Sequence, residues 1–396
     1  MTLAPQPAAT HTLRQRVSSY LLMSGIALLS VFPINVLLPS FSALAQRFNV
    51  PIADITLSIS VFTLVFSVSQ LLVGPLSDRW GRKPLLLATL ALSLLGALGC
   101  ALSNSYAQFL FFRGVQAVGC GLFVLGHALV EDLFARQQRA QVRNFYLTLS
   151  GFFIAIAPLL GSVLQDHFDW PASFYLFGLI ATVISLHVQL ALDSHSQRPV
   201  PHPSLMQTVL TLISHRDFMG YWLIASLTFA CYFAVISVTP HIFMVQLKLS
   251  PNQYAWLLMF YGAAYVLGGM LAAKLQKHLP TRIQIILGLV VLAFSGVLLI
   301  LILVSDRLSV ASLLSTFSLS AVGVTLVRPA AISAAMSLFS DKAGTAASTG
   351  NTLMFATAAA SSAALAYSGT FLLLNIAVGF IVLSLLGVAI TVRITQ

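Results

Sequence analysis

The chain has 396 residues, of which 58% are hydrophobic and 8% are charged. A soluble domain is about 45–50% apolar and about 25% charged, so this composition excludes a soluble globular protein and indicates an integral membrane protein. The formal net charge of +10 would suit a nucleic-acid partner if the basic residues formed a patch, but they are spread over the loops between apolar segments.

About twelve apolar segments have the roughly 20 residues that a helix needs to cross a bilayer. They are rich in Leu, Ala, Val, Ile and Phe without polar alternation, which favours helices over a β-barrel. The segments are 18–41, 55–76, 84–103, 106–130, 144–165, 172–192, 218–240, 252–273, 283–304, 309–336, 344–366 and 370–391. The sequence therefore predicts an all-α membrane protein with twelve transmembrane helices.

The basic residues indicate how these segments cross the membrane. With the N-terminus in the cytoplasm, most Arg and Lys residues fall in cytoplasmic loops, and only Arg47, Lys248 and Arg307 fall outside. This is the positive-inside bias of membrane proteins. We therefore predict a multi-pass membrane protein with both termini in the cytoplasm and no nucleic-acid partner.

The loop between the second and third predicted spans reads Gly-Pro-Leu-Ser-Asp-Arg-Trp-Gly-Arg-Lys-Pro over residues 74–84. Its charges must lie in water, because a charge in hydrocarbon costs several kcal/mol. The order Gly-x-Leu-x-Asp-Arg-x-Gly-Arg-Lys resembles the signature loop of the major facilitator superfamily of transporters. A solvated basic loop that only orients the protein is the alternative. The resemblance implies a gating role for Gly74, Asp78, Arg79, Gly81 and Arg82.

The fourth predicted span carries Arg113 in the frame Leu-x-x-Arg-x-x-Gln-x-x-Gly. A guanidinium does not deprotonate in proteins, so Arg113 needs an acceptor or a wet cavity, unless its long side chain reaches the headgroups. The frame resembles the second signature of the same superfamily. That resemblance implies that Arg113 and Gln116 take part in proton coupling.

The fifth predicted span contains Ala-Pro-Leu-Leu-Gly, with Pro158 and Gly161. Proline and glycine suit a kinked helix that packs closely against a neighbour. The segment partly resembles the antiporter signature of the superfamily, several of whose glycines are replaced here. The resemblance implies that Pro158 and Gly161 lie at the interface of two halves, and an ordinary bent helix is the alternative.

The stretch 193–217 begins with a polar, proline-rich run that suits a cytoplasmic linker. Faint repeats relate the parts on either side: Gly-x-Leu-x-x-(Arg/Lys) follows the second and eighth spans, and Ala-Val-Gly occurs in the fourth and tenth. Internal repeats around a midplane site are typical of secondary transporters. The predicted division is a six-helix bundle over 1–192, a linker over 193–217 and a six-helix bundle over 218–396.

Over the whole chain, these features resemble the twelve-span drug:proton antiporter branch of the superfamily, of the bicyclomycin-resistance type. The resemblance implies the major facilitator fold, in which two pseudo-symmetric six-helix bundles rock around a central site. It also implies export of small organic molecules by alternating access, coupled to protons.

One departure from that branch concerns the proton. The branch has an Asp in the first span, where this chain has Asn35, and an amide does not titrate near neutral pH. The nearest candidates for the coupling site are His127, Glu131 and Asp132 at the inner end of the fourth span. His127 and Glu131 share a helix face, and a His–carboxylate pair can titrate in the physiological range. A pair at the cytoplasmic rim without a coupling role is the alternative.

Arg328 lies inside the tenth predicted span, where a cation marks a functional site by default. No carboxylate lies in the middle of a predicted span, so Arg113 and Arg328 predict a net positive cavity. This favours an anionic or zwitterionic cargo, and export of an anionic siderophore, metallophore or other carboxylate metabolite is the main alternative to drug export. If Arg328 only lines the inner vestibule, which is the alternative, it indicates no preference for an anionic cargo.

The other residues predicted to bind substrate are Phe32, Asn35, Tyr232, Tyr261, Tyr265, Asn351 and Phe355.

Other functional classes lack support in the sequence. It shows no nucleophile–base pair, metal-ligand cluster or phosphate-binding loop, so we expect a monomeric transporter without a cofactor or metal rather than an enzyme. A membrane sensor is a further class, but no appended soluble domain is apparent. The expected partners are a small-molecule substrate, protons and the lipid bilayer.

Overall fold

In a computed structural model, the chain is all-helical in the described part, which is 13–394 without 123–124, 127–128, 131–132, 135, 193–204 and 340–342. Nine helical stretches in these residues are long and apolar enough to cross a membrane, so the chain is a multi-pass membrane protein. The helices are α1 (Leu13–Asn35), α2 (Phe41–Phe48), α3 (Ile52–Trp80), α4 (Arg82–Ala101), α5 (Tyr106–Cys120), α6 (Arg136–Phe168), α7 (Pro171–Ala191), α8 (Leu205–Ser214), α9 (Arg216–Pro240), α10 (Pro251–Leu275), α11 (Thr281–Val304), α12 (Val310–Ser337), α13 (Ala343–Ala366) and α14 (Leu372–Arg393).

Helices occupy the segments predicted from hydropathy, but the first one is broken. Within the predicted span 18–41, the α-helix ends at Asn35. The chain then continues through a turn and a short 3₁₀ helix, Leu38–Ser40, into α2. Pro39 has no N–H to donate to the carbonyl of Asn35, so one helical bond is missing at the point where the helix breaks. The first membrane segment is therefore a discontinuous helix.

The fourth predicted span is interrupted. Over 106–130, α5 ends at Cys120, residues 121–122 form a turn, and the described residues 125–126 and 129–130 are helical again. The next two N–H groups, of Gly121 and Leu122, bond to the carbonyls three residues back, at 3.2 and 3.3 Å. Such short-range bonds tighten and close a helix end.

The long helices pack in two groups. In the first group, α1 packs against α6 and α7, α4 packs against α5 and α7, and α3 packs against α5. In the second group, α9 packs against α12, α13 and α14, α11 packs against α12 and α14, and α10 packs against α12. The main contacts between the groups are those of α3 with α13 and of α6 with α10. These two contacts bring the first group against the second.

The predicted linker 193–217 contains a helix in its second part. Helix α8 packs on α9 and α13 and buries Leu212 in a cluster with Phe218 and Trp222. This part of the linker is therefore anchored to the second group.

Candidate functional site

A pocket lies between the two groups, with walls from α1 and α6 on one side and from α9 and α10 on the other. Its free volume is about 10 Å³, which is about the space that one water molecule needs, so the pocket is closed to organic molecules in this conformation. Its lining consists of Asn35, Leu38, Ile154, Pro158, Tyr232, Ile236, Leu258, Tyr261 and Gly262. An apolar and aromatic lining with a few polar groups is typical of small-molecule sites.

Three tyrosines form a cluster at the α9–α10 wall of the pocket. The ring of Tyr232 lies 5.4 Å from that of Tyr261, at an interplanar angle of 14°, and 4.6 Å from that of Tyr265. Phe229, one turn earlier on α9, lies 6.3 Å from Tyr232 and 5.3 Å from Phe355 of α13. The fold thus brings four of the predicted substrate residues into one aromatic cluster.

Arg328 of α12 adjoins this cluster. Its Nη1 donates a hydrogen bond of 2.6 Å to the hydroxyl of Tyr265, and its Cζ lies 4.5 Å from the ring centroid of Phe229. Its Nε is buried without a hydrogen-bond partner. Within the described part of the chain, this guanidinium is held by a neutral oxygen and an aromatic face, and by no carboxylate.

Arg113 lies in the first group and is fully buried, so its side chain does not reach the headgroups. Its Nη1 donates to the carbonyl of Pro33 at 3.3 Å and to Oε1 of Gln116 at 2.8 Å. Its Cζ lies 4.2 Å from the ring centroid of Phe62. The carbonyl of Pro33 is one of the last four of α1, which lack intrahelical donors, and a cation is favourable at a helix C-terminus. Arg113 therefore caps the end of α1.

The break in the first membrane segment lies beside the pocket. Asn35, at the end of α1, lines the pocket, and its Nδ2 donates to the carbonyl of Val31 at 2.7 Å. A Cβ on Gly161 of α6 would overlap the carbonyl oxygen of Val36, so α6 packs directly on the break. Pro158, one turn before Gly161, also lines the pocket. Pro158 and Gly161, the two residues predicted to lie at the interface of the halves, thus lie where α6 meets the break and the pocket.

The charged loop is tighter than its sequence suggests. Helix α3 runs to Trp80 and α4 begins at Arg82, with Gly81 alone between them at φ +89°. L-residues rarely adopt this backbone conformation, which explains the glycine. The guanidinium of Arg82 donates to the hydroxyl of Ser77, across the turn. The backbones of Gly74, Asp78 and Arg79 belong to α3, and their side chains lie outside what the structure describes.

Lys83, next in this segment, has a structural contact within the first group. Its Nζ donates to the carbonyls of Gln189 and Leu192 at 2.9 and 2.6 Å. These carbonyls lie at the C-terminal end of α7, where a cation is favourable. The sequence did not reveal this contact, because the two segments are more than a hundred residues apart.

The sequence also did not reveal the polar contacts between α3 and the α13 region. Ser60 donates to Ser362 at 2.9 Å, and the hydroxyl of Tyr367 donates to the carboxylate of Asp54 at 2.8 Å. The hydrogen bond to Asp54 raises the pKa of Tyr367 above its ordinary value, and slight burial and the negative charge of Asp54 act in the same direction. Single small polar residues in apolar helices carry no periodic signal that would have identified these pairs.

Of the eight predicted substrate residues, only Asn35, Tyr232 and Tyr261 line the pocket. Tyr265, Phe355 and Arg328 belong to the aromatic cluster or adjoin it, and Phe32 and Asn351 are in neither set. Phe32 is buried on α1 with its ring 6.4 Å from that of Phe177 of α7. Asn351 is half-buried on α13 and is absent from the pocket lining. The predicted coupling residues His127, Glu131 and Asp132 lie outside the described residues.

Proteins of similar sequence include several that are named for drug resistance. The bicyclomycin resistance protein homolog of Haemophilus influenzae is 24% identical over 302 residues, covering 74% of this chain and 76% of that protein. The multidrug resistance protein MdtM of Salmonella typhimurium is 25% identical over 297 residues, covering 74% and 71%. The chloramphenicol resistance protein CraA of Acinetobacter baumannii is 26% identical over 266 residues, covering 66% and 64%. These relatives are consistent with the drug:proton antiporter branch.

Solved structures show the same fold. A D-xylose–proton symporter superposes with a TM-score of 0.77 at 14% identity, covering 96% of this chain and 98% of that one. A bacterial homolog of the human lysosomal transporter Spinster superposes with a TM-score of 0.69 at 13% identity, covering 96% of each chain. Residues 23–363 match the Major Facilitator Superfamily, and the chain therefore belongs to that family.

Proposed function

We propose that this protein is a twelve-span secondary transporter that exports small organic molecules across the bacterial inner membrane by alternating access. The observation that carries the proposal is the pocket with walls from both helix groups. In alternating access, two bundles rock around a central site, so a site shared by the groups is the expected arrangement. The proposed bundles are 1–192 and 218–396, joined by 193–217 and acting as a monomer.

Export of drugs is supported by the relatives, which are named for resistance to bicyclomycin, to chloramphenicol and to multiple drugs. A transporter that confers resistance lowers the concentration of the compound in the cell, so its direction is outward. We therefore assign export as the direction of transport.

The charged loop is proposed as the gate. Asp78 would face a helix N-terminus of the other bundle, where its charge meets the positive end of the dipole. The bond between Arg82 and Ser77 supports a loop of defined shape at this position. We expect Asp78→Asn and Arg82→Ala to impair transport at unchanged membrane abundance, because the loop biases a conformational equilibrium. Normal export by both variants at matched abundance would contradict the gate.

Proton coupling needs a titrating group other than Asn35. The proposed group is the cluster of His127, Glu131 and Asp132. Glu131→Gln and Asp132→Asn should each lower transport driven by a pH gradient in vesicles, with Asp306→Asn, which removes the same charge from an exposed loop, as the control. If both variants keep the wild-type gradient-driven rate, the coupling group lies elsewhere.

The preferred cargo is anionic or zwitterionic. Arg113 and Arg328 each lack a carboxylate partner among the described residues. A lipophilic cation near them would meet like charge in a medium of low dielectric, at a cost on the order of a few kcal/mol. A carboxylate would instead gain a charge-assisted hydrogen bond of about 1.5–3 kcal/mol. This observation is what favours a siderophore, metallophore or other carboxylate metabolite as the second candidate cargo.

The purified full-length protein in proteoliposomes tests the function directly. An imposed pH gradient should drive transport of at least one of three probes: chloramphenicol as an uncharged drug, ethidium as a lipophilic cation, and a carboxylate-bearing compound. We expect the carboxylate to be preferred over ethidium. A gradient that drives no probe would contradict proton-coupled export, and robust transport of ethidium unaffected by Arg328→Gln would contradict the anionic preference.

A further inference from the structure

The contact between α3 and α13, the α3–α13 seam, joins the two helix groups. Thr352 donates to the carbonyl of Ser67 at 3.1 Å, and Ser348 donates to the carbonyl of Gln70 at 3.4 Å. The partners ascend along α3 as they descend along α13, so the two helices are antiparallel. Because the helices belong to different groups, a rocking motion of the groups must open or shift this seam.

The side chain of Gln70 is enclosed at the seam. Its exposed fraction is 0%, and neither its amide nitrogen nor its amide oxygen has a hydrogen-bond partner among the described residues. Gln70 follows Phe66 by one turn and therefore shares its helix face, and the ring of Phe66 meets that of Phe355 of α13 edge to face at 5.1 Å. Thr63, on the same face, also has a buried hydroxyl without a partner. The closed seam thus holds polar groups that it does not satisfy.

Two other glutamines with an exposed fraction of 0%, Gln116 and Gln284, do make bonds. Oε1 of Gln116 accepts from a guanidinium on its own helix. Nε2 of Gln284 donates to the carbonyls of Ala272 and Leu326 at 3.3 and 3.1 Å. Both bond within a single helix group. Of these three buried glutamines, the one at the seam is the one whose amide makes no bond.

The unpaired amide has an energetic consequence for the seam. A buried amide without a partner is less favourable than one in water, because it has lost its bonds to water and gained none. Such groups are few in native structures, and each calls for an explanation. When α3 and α13 separate, water restores the bonds of Gln70. The amide therefore favours the open seam over the closed one.

We propose that Gln70 is a positioning residue that opposes closure of the α3–α13 seam and thereby speeds the opening step of the transport cycle. The proposal rests on the proposed alternating-access function and adds a residue that sets its conformational balance. Gln70 lies one turn before Gly74, where the charged loop proposed as the gate begins, so it acts at the end of the seam next to that gate. An apolar residue of similar size removes the penalty and holds the seam closed.

The stability of two matched variants tests the sign of this contribution. Gln70→Met keeps an unbranched side chain of similar length and removes both amide atoms, so the melting temperature should rise by about 2 °C. Gln284→Met is the matched control, which leaves two buried carbonyls without a donor and should lower the melting temperature. Both are measured on the full-length protein in nanodiscs. A fall for Gln70→Met like that of the control would show that the amide is satisfied in the closed seam, by a bound water or another partner, and would overturn the proposal.

Thiol labelling measures opening of the seam. In a variant whose three native cysteines are replaced by alanine, Ser67→Cys places one thiol at a fully buried position of the seam. A membrane-impermeant methanethiosulfonate reagent reaches it only when water enters. Gln70→Met should slow this labelling about threefold, and Gln70→Glu, whose side chain is more costly to bury, should speed it about threefold. Leu72→Cys, on the exposed apolar surface of α3, is the control and should label at one rate in all three backgrounds.

Transport separates this inference from the proposed function. In proteoliposomes, Gln70→Met should lower the turnover of the probe that the wild type transports about threefold and leave the KM nearly unchanged, because opening rather than binding is slowed. If the wild type transports no probe while labelling still responds to Gln70, the proposed function fails and the inference stands. If the wild type transports a probe while Gln70→Met changes neither labelling nor melting temperature, the exporter stands and the inference is overturned.

Discussion

Arg113 and Arg328 are cations inside apolar helices, and the protein holds them in different ways. Both donate from Nη1 to a neutral oxygen, and both lie over a phenylalanine ring. Arg113 is fully buried, and its acceptors are the backbone of α1 and Gln116 on its own helix. Arg328 is half-buried, and its acceptor is the hydroxyl of Tyr265.

The difference lies in the acceptor and not in the number of unused donors, since Nε and Nη2 of Arg113 and Nε of Arg328 are all buried without a partner. A guanidinium that caps a helix end cannot leave without exposing a backbone carbonyl in an apolar interior. A guanidinium bound to a side-chain hydroxyl leaves only that hydroxyl behind. We therefore expect Arg328 to exchange its partner more readily than Arg113.

The largest effect should come from removing Arg113. Arg113→Leu leaves the carbonyl of Pro33 and the amide oxygen of Gln116 without a donor, at about 1–3 kcal/mol for each buried acceptor. Arg328→Leu leaves only the Tyr265 hydroxyl without its partner. We expect it to lower the free energy of unfolding by about 1 kcal/mol or less. Thermal unfolding of the purified variants measures both. Equal losses of stability would show that the two arginines have the same role.

The next effect comes from removing the side-chain acceptor of each arginine. Gln116→Leu should cost about 1.5–3 kcal/mol, because a buried bond to a charged group is lost. Tyr265→Phe should cost about 0.5–1 kcal/mol, because Arg328 is partly exposed and another polar group or water can replace the phenol. Melting temperatures in the same detergent give the comparison, and a larger loss for Tyr265→Phe would reverse it.

A third test concerns the break after α1, the helix whose end Arg113 caps. Gly161→Ala places a methyl group against the carbonyl of Val36, and overpacking of this kind costs about 1–3 kcal/mol. Gly114→Ala is the control, because a Cβ there meets open space. We expect Gly161→Ala alone to lower both the melting temperature and transport. Equal behaviour of the two alanine variants would mean that α6 does not hold the break.

The smallest expected effect is that of pH on anion binding. Neither guanidinium loses its charge in the physiological range, and a sulfonate probe such as naphthalene-2-sulfonate stays ionised. Its affinity should therefore vary less than about twofold between about pH 6 and pH 8, as measured by calorimetry. A tenfold change would reveal a titrating group at the site and assign part of the binding to it.

Several elements follow from local sequence alone. Gly81 is required by a one-residue turn at positive φ, and the charges around it identify the loop as solvated. The apolar segments are long enough to predict membrane helices, and Pro39 removes one helical bond where the first of them breaks. The superfamily could be identified from residues 74–84 because its motif is short and contiguous.

The composition of the site could be predicted only in part. Asn35 and Phe32 are close together on α1, yet Asn35 lines the pocket while Phe32 packs against Phe177. Tyr232, Tyr261 and Tyr265 converge because α9 and α10 meet there. No spacing within one segment contains that information, since the contacts join separate helices.

The sequence by itself determined the class of protein, most of its apolar helices, the charged turn and the presence of two arginines within apolar segments. Only the tertiary structure decided that Arg113 caps a broken helix while Arg328 lies beside an aromatic pocket. The physical reason is that lipid is as apolar as a protein core. Every face of such a helix can be hydrophobic, so periodicity does not show which face turns inward or which helix it meets.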